Sequence, residues 1–309
     1  MNRKEKISAN IMLLIAAFLW GSSYSFRKMA LAYIGAFLFN GIRFFIGFLV
    51  IFIAYIVKGA IQKKGKNAPR LEEQDYKPVR WQIKGGILIG VFYSLAANLQ
   101  QVGLITSDAG KCGFISAFYI FFIPLISRAV LKKKVAAKIW LGAAIAVLGL
   151  FLISAGDNFD IIIGDILFIL AAICFAIQIT MISHYVIHSN PLLLASVQLL
   201  SCSVSSMVLS ICFERGNTTE GFFAAMLPIV YTGLLSLGLA NLIQFVAQKK
   251  ASPSVAGIVL SLESVFAAAF AAVILQERMN IPQISGCGLI FSAIIISQIE
   301  RKERTKNNV

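Results

Sequence analysis

Glu263 and Arg43 are the residues whose chemistry stands out, because each falls well inside a long apolar stretch. A charge at such a depth in a membrane costs at least about 2.5 to 3.5 kcal/mol on insertion scales, so it is kept only where it faces protein or water. A carboxylate held there can exchange a proton, and a guanidinium can grip a substrate carboxylate with two parallel hydrogen bonds. Both also have structural readings. Glu263 can bond a neighbouring helix or pair with Arg43, and Arg43 can act as an internal lock on backbone carbonyls. Amide, hydroxyl and aromatic groups at similar depth add cavity candidates: Trp20, Ser23, Tyr24, Asn98, Gln101 and Tyr119, then Gln178, Asn241 and Gln244. Asn98 with Gln101, and Asn241 with Gln244, are spaced i, i+3 and so neighbour each other on a helix. Interhelical hydrogen bonding is the alternative for every one of them.

Other chemistry is hard to find. His184 and His188 have the i, i+4 spacing of a metal-binding helix face but no third ligand nearby, so no metal is expected. Cys112, Cys174, Cys202, Cys212 and Cys287 form no CxxC motif and show no extracellular pairing pattern. No GxSxG, HExxH, phosphate loop or close pair of buried carboxylates occurs, so neither an enzyme nor a bound cofactor is expected.

The elements that carry these residues follow from composition. Of 309 residues 58% are hydrophobic and only 14% are charged, which excludes a soluble globular enzyme of this size. About 20 apolar residues cross a bilayer as a helix. Ten runs qualify, at about 8–29, 34–57, 84–104, 112–131, 138–155, 162–183, 192–213, 224–247, 254–275 and 281–299. The first is too long for a signal-peptide core and lacks a small-residue cleavage site, so it reads as a retained helix.

The net charge of +14 is placed by topology. Arg3, Lys4, Lys6, the cluster from Lys58 to Lys84, Arg128, Lys132 to Lys134, Lys138, Lys249, Lys250 and the C-terminal cations fall on one side. Arg27, Lys28, Lys111, Arg215 and Arg278 fall on the other. Short loops rich in Lys and Arg stay cytoplasmic, so a plasma-membrane protein with both termini inside is expected. The basic loops touch lipid head groups, and without a ladder of stacking aromatics no nucleic-acid partner is expected.

Sliding the chain on itself brings out a repeat. A shift of about 155 lays Ala16-Ala17 on Ala171-Ala172 and Arg43 on Gln198, and a shift of about 145 lays Phe121 on Phe266. The halves are 1–157 and 158–309. With five runs each, an odd number, the second half must enter from the opposite face. The expected fold is therefore an all-α membrane protein of ten transmembrane helices in two inverted five-helix repeats. Such architectures place substrate between the halves near mid-membrane. Gly142, Ala146 and Gly149, Ala268 with Ala272, and Ser201, Ser205 and Ser206 have the spacing that lets helices pack closely. That leaves a monomer or weak homodimer. Pro124 should kink the fourth run.

Several stretches resemble EamA-type members of the drug/metabolite transporter superfamily. They are Leu19-Trp20-Gly21-Ser22-Ser23, Phe39-Asn40-Gly41-Ile42-Arg43-Phe44, Thr106 to Lys111 through Tyr119 and Pro124, Gly164-Asp165-Ile166-Leu167, Ala247-Gln248-Lys249, Leu260 to Val265, and Gln276-Glu277-Arg278. The chain departs from the family at Ser264, where Pro is common, and at Gln276, where Gly is common. The resemblance implies two five-helix repeats, a central cavity and transport of small metabolites, often outward. The function expected is secondary active transport of an amino-acid-like or drug-like solute by alternating access, coupled to protons. A channel-like facilitator, in which Glu263 tunes selectivity, is the alternative.

Overall fold

The computed structural model describes residues 3–64, 76–106, 109–132, 135–154, 163–216, 218–274 and 281–298. The expected boundary at 157/158, Ser107-Asp108, Gln276-Glu277-Arg278 and the C-terminal cations lie outside them. The described residues form helices: α1 Arg3–Ala30, α2 Ala36–Lys64, α3 Val79–Thr106, α4 Ala109–Ser116, α5 Tyr119–Leu131, α6 Ala137–Ser154, α7 Ile163–Tyr185 and α8 Pro191–Phe213. Then come α9 Thr219–Ala224, α10 Met226–Tyr231, a π-helix Thr232–Ala240, α11 Asn241–Gln248, α12 Pro253–Leu260, α13 Leu262–Ile274 and α14 Ile281–Gln298.

Seven of the described helical stretches are long and apolar enough to cross a bilayer: 4–30, 36–61, 79–106, 163–188, 191–213, 226–248 and 253–274. Shorter apolar helices at Tyr119–Leu131, Ala137–Gly149 and Ile284–Ala293 cover the fourth, fifth and tenth expected runs. The bundle turns its polar groups inward and its apolar ones outward. Asn40, Arg43, Asn98, Gln101, Gln198, Asn241, Gln244 and Glu263 are buried, whereas Phe45, Leu49, Ile53 and Ile56 form an exposed stripe on α2. In water so much exposed apolar surface is unfavourable, and lipid is the solvent that suits it.

Helix packing recurs in matched pairs. α2 lies along α8, and α6 along α14; α1 packs on α13 as α7 packs on α5; α3 packs on α8 as α2 packs on the π-helix. Small residues make this possible. At Gly149 a Cβ would stand 2.7 Å from the Gly286 carbonyl oxygen, so α6 and α14 meet backbone to backbone.

Two breaks matter for the site. Between α4 and α5 the bonds shorten to i→i−3, Phe118 N–H to Ile115 O at 3.1 Å and Ile120 N–H to Ala117 O at 3.1 Å. Pro124 itself sits inside α5, so the interruption falls more than a turn before the proline rather than at it. Between α12 and α13 the break is at Ser261, with no proline present. There the Ser261 and Ser264 hydroxyls each donate 2.7 Å bonds to the carbonyls of Ile258 and Ser261. Serines that bond backward in this way compete with the helix ladder and bend it.

Contacts at the two ends agree with the sorting of cations into two groups. Lys250 pairs with Glu5 at 3.3 Å, and the Lys77 N–H donates to the His188 carbonyl at 3.0 Å, all on the basic side. At the other end the Glu214 carboxylate accepts the Phe37 and Leu38 N–H groups at 2.7 and 2.8 Å and so caps α2. Ser210 donates to the same carboxylate at 2.8 Å.

Candidate functional site

One face of α1 starts the site. Trp20, Ser23, Tyr24 and Arg27 are spaced i, i+3, i+4 and i+7, so they stack along one stripe, and all four line an internal cavity. Gly21 lets that stripe approach α13, since a Cβ there would lie 2.5 Å from Phe266 Cβ and 2.6 Å from the Glu263 carbonyl oxygen. The opposing walls come from Arg43 of α2, Tyr93, Ala97 and Gln100 of α3, Tyr119 of α5, Phe175 and Gln178 of α7, Ser236 and Leu237 of the π-helix, Gln244 of α11 and Glu263 of α13. The lined space is about 550 Å³ with its solvent-open part included, and about 50 Å³ of it admits the centre of a water molecule. At about 10–15 Å³ per water on that measure, a few waters fit. A metabolite requires the walls to part.

The two helix breaks deliver Tyr119, at the first position of α5, and Glu263, in the first turn of α13. Glu263 is buried and lines the same cavity as Tyr119 and Arg27. Among the described residues no ion pair closes on it, so Arg43 is not its partner. The π-helix supplies another wall, where the Ser236 carbonyl accepts the Trp20 indole N–H at 2.8 Å.

Arg27 is the residue that the sequence reading misplaced. Counted with Lys28 among the cations on the far side of the membrane, at the end of the first run, it lies inside α1, which continues to Ala30, and is only 4% exposed. Its Nε donates to Gln101 Oε1 at 2.8 Å and its Nη1 to Gln100 Oε1 at 2.6 Å, with the guanidinium 5.1 Å from the centre of the Tyr24 ring. Gln100 is itself fixed, donating to the Tyr24 hydroxyl at 2.9 Å and the Ser116 hydroxyl at 2.7 Å. Lys28 turns away and donates to the Leu104 carbonyl at 2.7 Å. Continuing the α1 stripe one step, from Trp20 to Arg27 at i+7, is the signal that finds it.

Of the expected cavity residues, Trp20, Ser23, Tyr24, Tyr119, Gln178, Gln244, Arg43 and Glu263 come together around the space. Asn98, Gln101 and Asn241 do not line it. On α3 the lining positions are Tyr93, Ala97 and Gln100, and the next residue along a helix is rotated by about 100°. Asn98 and Gln101 therefore stand behind the wall and hold it. Asn98 accepts from Asn40 Nδ2 at 2.9 Å and donates to Ser206 at 2.9 Å and Ser94 at 3.1 Å. Asn40 in turn accepts the Arg43 Nε–H at 2.8 Å, and Arg43 is sandwiched 5.3 and 5.1 Å from the Phe39 and Phe44 rings. Asn241 Oδ1 accepts from Gln198 Nε2 at 3.3 Å. The symmetry expected between the two amide pairs thus fails: Gln244 faces the cavity, whereas Gln101 is spent on Arg27. His184 and His188 pack near the Tyr185 and Trp81 rings, 5.2 and 6.4 Å between centres.

An aromatic, charge-bearing cavity inside a lipid-facing bundle suits the handling of a small solute. Comparison with known proteins decides the class, since the EamA-like transporter family model matches residues 7–155 and again 162–298. The chain belongs to the EamA-like transporter family. This EamA-type protein is a multi-pass membrane transporter of the drug/metabolite transporter superfamily and not an enzyme. It is 32% identical to an uncharacterized transporter of Archaeoglobus fulgidus over 94% of this chain and 86% of that one. It is 24% identical to the uncharacterized transporter YoaV of Bacillus subtilis over 90% of this chain and 92% of that one. A solved crystal structure matches with a TM-score of 0.73 at 16% identity, over 94% of this chain and 96% of that chain, a likeness of fold alone.

Proposed function

We propose that this EamA-family transporter is a secondary active carrier that moves a small metabolite across the plasma membrane by alternating access, coupled to protons through Glu263 and working mainly outward. The observation that carries the reading is the convergence of Arg27, Arg43 and Glu263, all buried, on one cavity built from both family-matched segments. A cavity between two segments that pack in repeating pairs is what rocking of one half against the other needs, and the water-sized room between the walls fits a closed stage of that cycle. We read the helices as ten crossings in two inverted halves, divided near 157/158, with both termini in the cytoplasm. The seven long stretches, the three shorter apolar helices and the recurring contacts support that reading. The bilayer and a small solute are the partners it requires, in a monomer or weak homodimer.

The test uses purified protein in proteoliposomes. Solutes that raise its melting temperature are loaded in labelled form, and a carrier then shows saturation and acceleration by unlabelled solute on the far side. Flux that never saturates and lacks that acceleration supports the channel-like alternative. Glu263→Gln should abolish flux driven by a pH gradient while leaving exchange at equal pH. Unchanged pH-driven flux in this variant rejects Glu263 as the proton site.

A further inference from the structure

Resting on the carrier reading above, we infer that the solute is an organic monoanion, a carboxylate on a flat aromatic body, whose carboxylate is taken up by Arg27. Three observations point the same way. Among the described residues the lining holds two guanidiniums, Arg27 and Arg43, against one carboxylate, Glu263, so one positive charge is left over there in a buried space. An unmatched buried charge is costly, and a bound monoanion cancels it.

Arg27 also has a donor to give. Its Nε and Nη1 are committed to Gln101 and Gln100, whereas Nη2 is buried with no hydrogen-bond partner. The two glutamines orient the planar guanidinium before any solute arrives, which lowers the ordering cost of binding a carboxylate. Gln244, across the cavity, likewise has both amide atoms buried and unpartnered. It supplies a second polar contact for a neutral substituent. The same lining includes Trp20, Tyr93, Tyr119 and Phe175, flat surfaces that suit an aromatic ring and do not suit a strongly hydrated aliphatic chain.

The charge arrangement fixes the sign of coupling. The titratable and charged groups that line the cavity with Glu263 are Tyr24 and Arg27 of α1, Arg43 of α2, Tyr93 of α3 and Tyr119 of α5. Protonating Glu263 removes the one negative group of the lining and leaves the guanidiniums uncancelled. Anion and proton therefore bind together and travel together. Outward movement is then driven by the solute's own gradient, with the proton leaving alongside.

The experiment uses the full-length protein in nanodiscs, with phenylacetate, phenylacetamide and phenethylamine as probes, by calorimetry at about pH 6 and about pH 8, where phenylacetate stays ionised. Phenylacetate is expected to bind at least about tenfold more tightly than its neutral amide or the amine. Its affinity should be higher at the lower pH, and in Glu263→Gln that pH dependence should vanish. Arg27→Gln should erase the preference for phenylacetate over phenylacetamide. If that variant fails to fold, Arg27→Lys serves, keeping the preference but weakening phenylacetate, because the point charge lacks the fork. Equal or tighter binding of the amide or amine, no binding of any probe, or an Arg27→Gln protein that keeps the preference each overturns the inference. Saturable counterflow of some other solute would, in that event, leave the carrier reading standing.

Discussion

Removing Asn98 tests whether the polar layer behind the cavity holds the wall in place. Asn98→Ala deletes bonds to Asn40 at 2.9 Å, Ser94 at 3.1 Å and Ser206 at 2.9 and 3.1 Å. The survivors differ. Asn40 Nδ2 keeps the Ala97 carbonyl at 3.1 Å, and Ser94 keeps Ser205, but Ser206 loses both of its side-chain bonds. Interhelical polar contacts in bilayers average about 0.6 kcal/mol, so three side-chain partners give about 2 kcal/mol of lost stability. Reversible unfolding in lipid bicelles measures this. A double-mutant cycle with Ser206→Ala should return a coupling of about 0.5 to 1.5 kcal/mol, since the two side chains satisfy each other. Phenylacetate affinity should fall only a few fold, through a loosened Arg43. A stability loss under about 0.5 kcal/mol together with abolished binding would show that Asn98 belongs to the lining and that the second-layer reasoning is mistaken.

Two further substitutions probe the frame. Glu214→Ala removes the acceptor of the Phe37 and Leu38 N–H groups at the start of α2. The lost cap should cost about 1 to 2 kcal/mol in a melting experiment, with Glu214→Gln intermediate, and an unchanged melting temperature would rule out the capping role. Gly21→Val places methyl groups where Phe266 Cβ and the Glu263 carbonyl already stand 2.5 and 2.6 Å from a Cβ position. Overpacking of about 1 to 3 kcal/mol is expected, along with slower counterflow because α13 and Glu263 are pushed away. Wild-type transport in that variant would mean the α1–α13 contact does not position the carboxylate.

The apolar runs made the helices legible, because in lipid a long enough apolar segment has almost no alternative to a helix. Interruptions were less visible. The run at 224–247 is a single stretch by hydropathy, yet it divides into short helices around a π-turn segment, and hydropathy carries no record of hydrogen-bond register. Trp20, Ser23 and Tyr24, expected from their depth, do line the cavity, but Arg27 was counted with the cations of the far side because charge at a run's end usually marks a boundary. The amides of α3 were found at the right depth and the wrong rotation. Depth is set by position along the chain, whereas rotation is set by which neighbours pack, and Ala97 and Gln100 won the inner face. Glu214 gave no signal, since a carboxylate after a helix looks like ordinary surface until the start of α2 is brought against it.

The serines at the α12–α13 interruption have a dynamic consequence. A ring with no N–H to donate makes an interruption permanent, whereas a hydroxyl that borrowed a carbonyl can hand it back and let the backbone straighten. The α4–α5 side is followed by Pro124, and the other is governed by Ser261 and Ser264. The carboxylate of Glu263 therefore rides on a joint whose geometry is held by two hydroxyl bonds and by no ring.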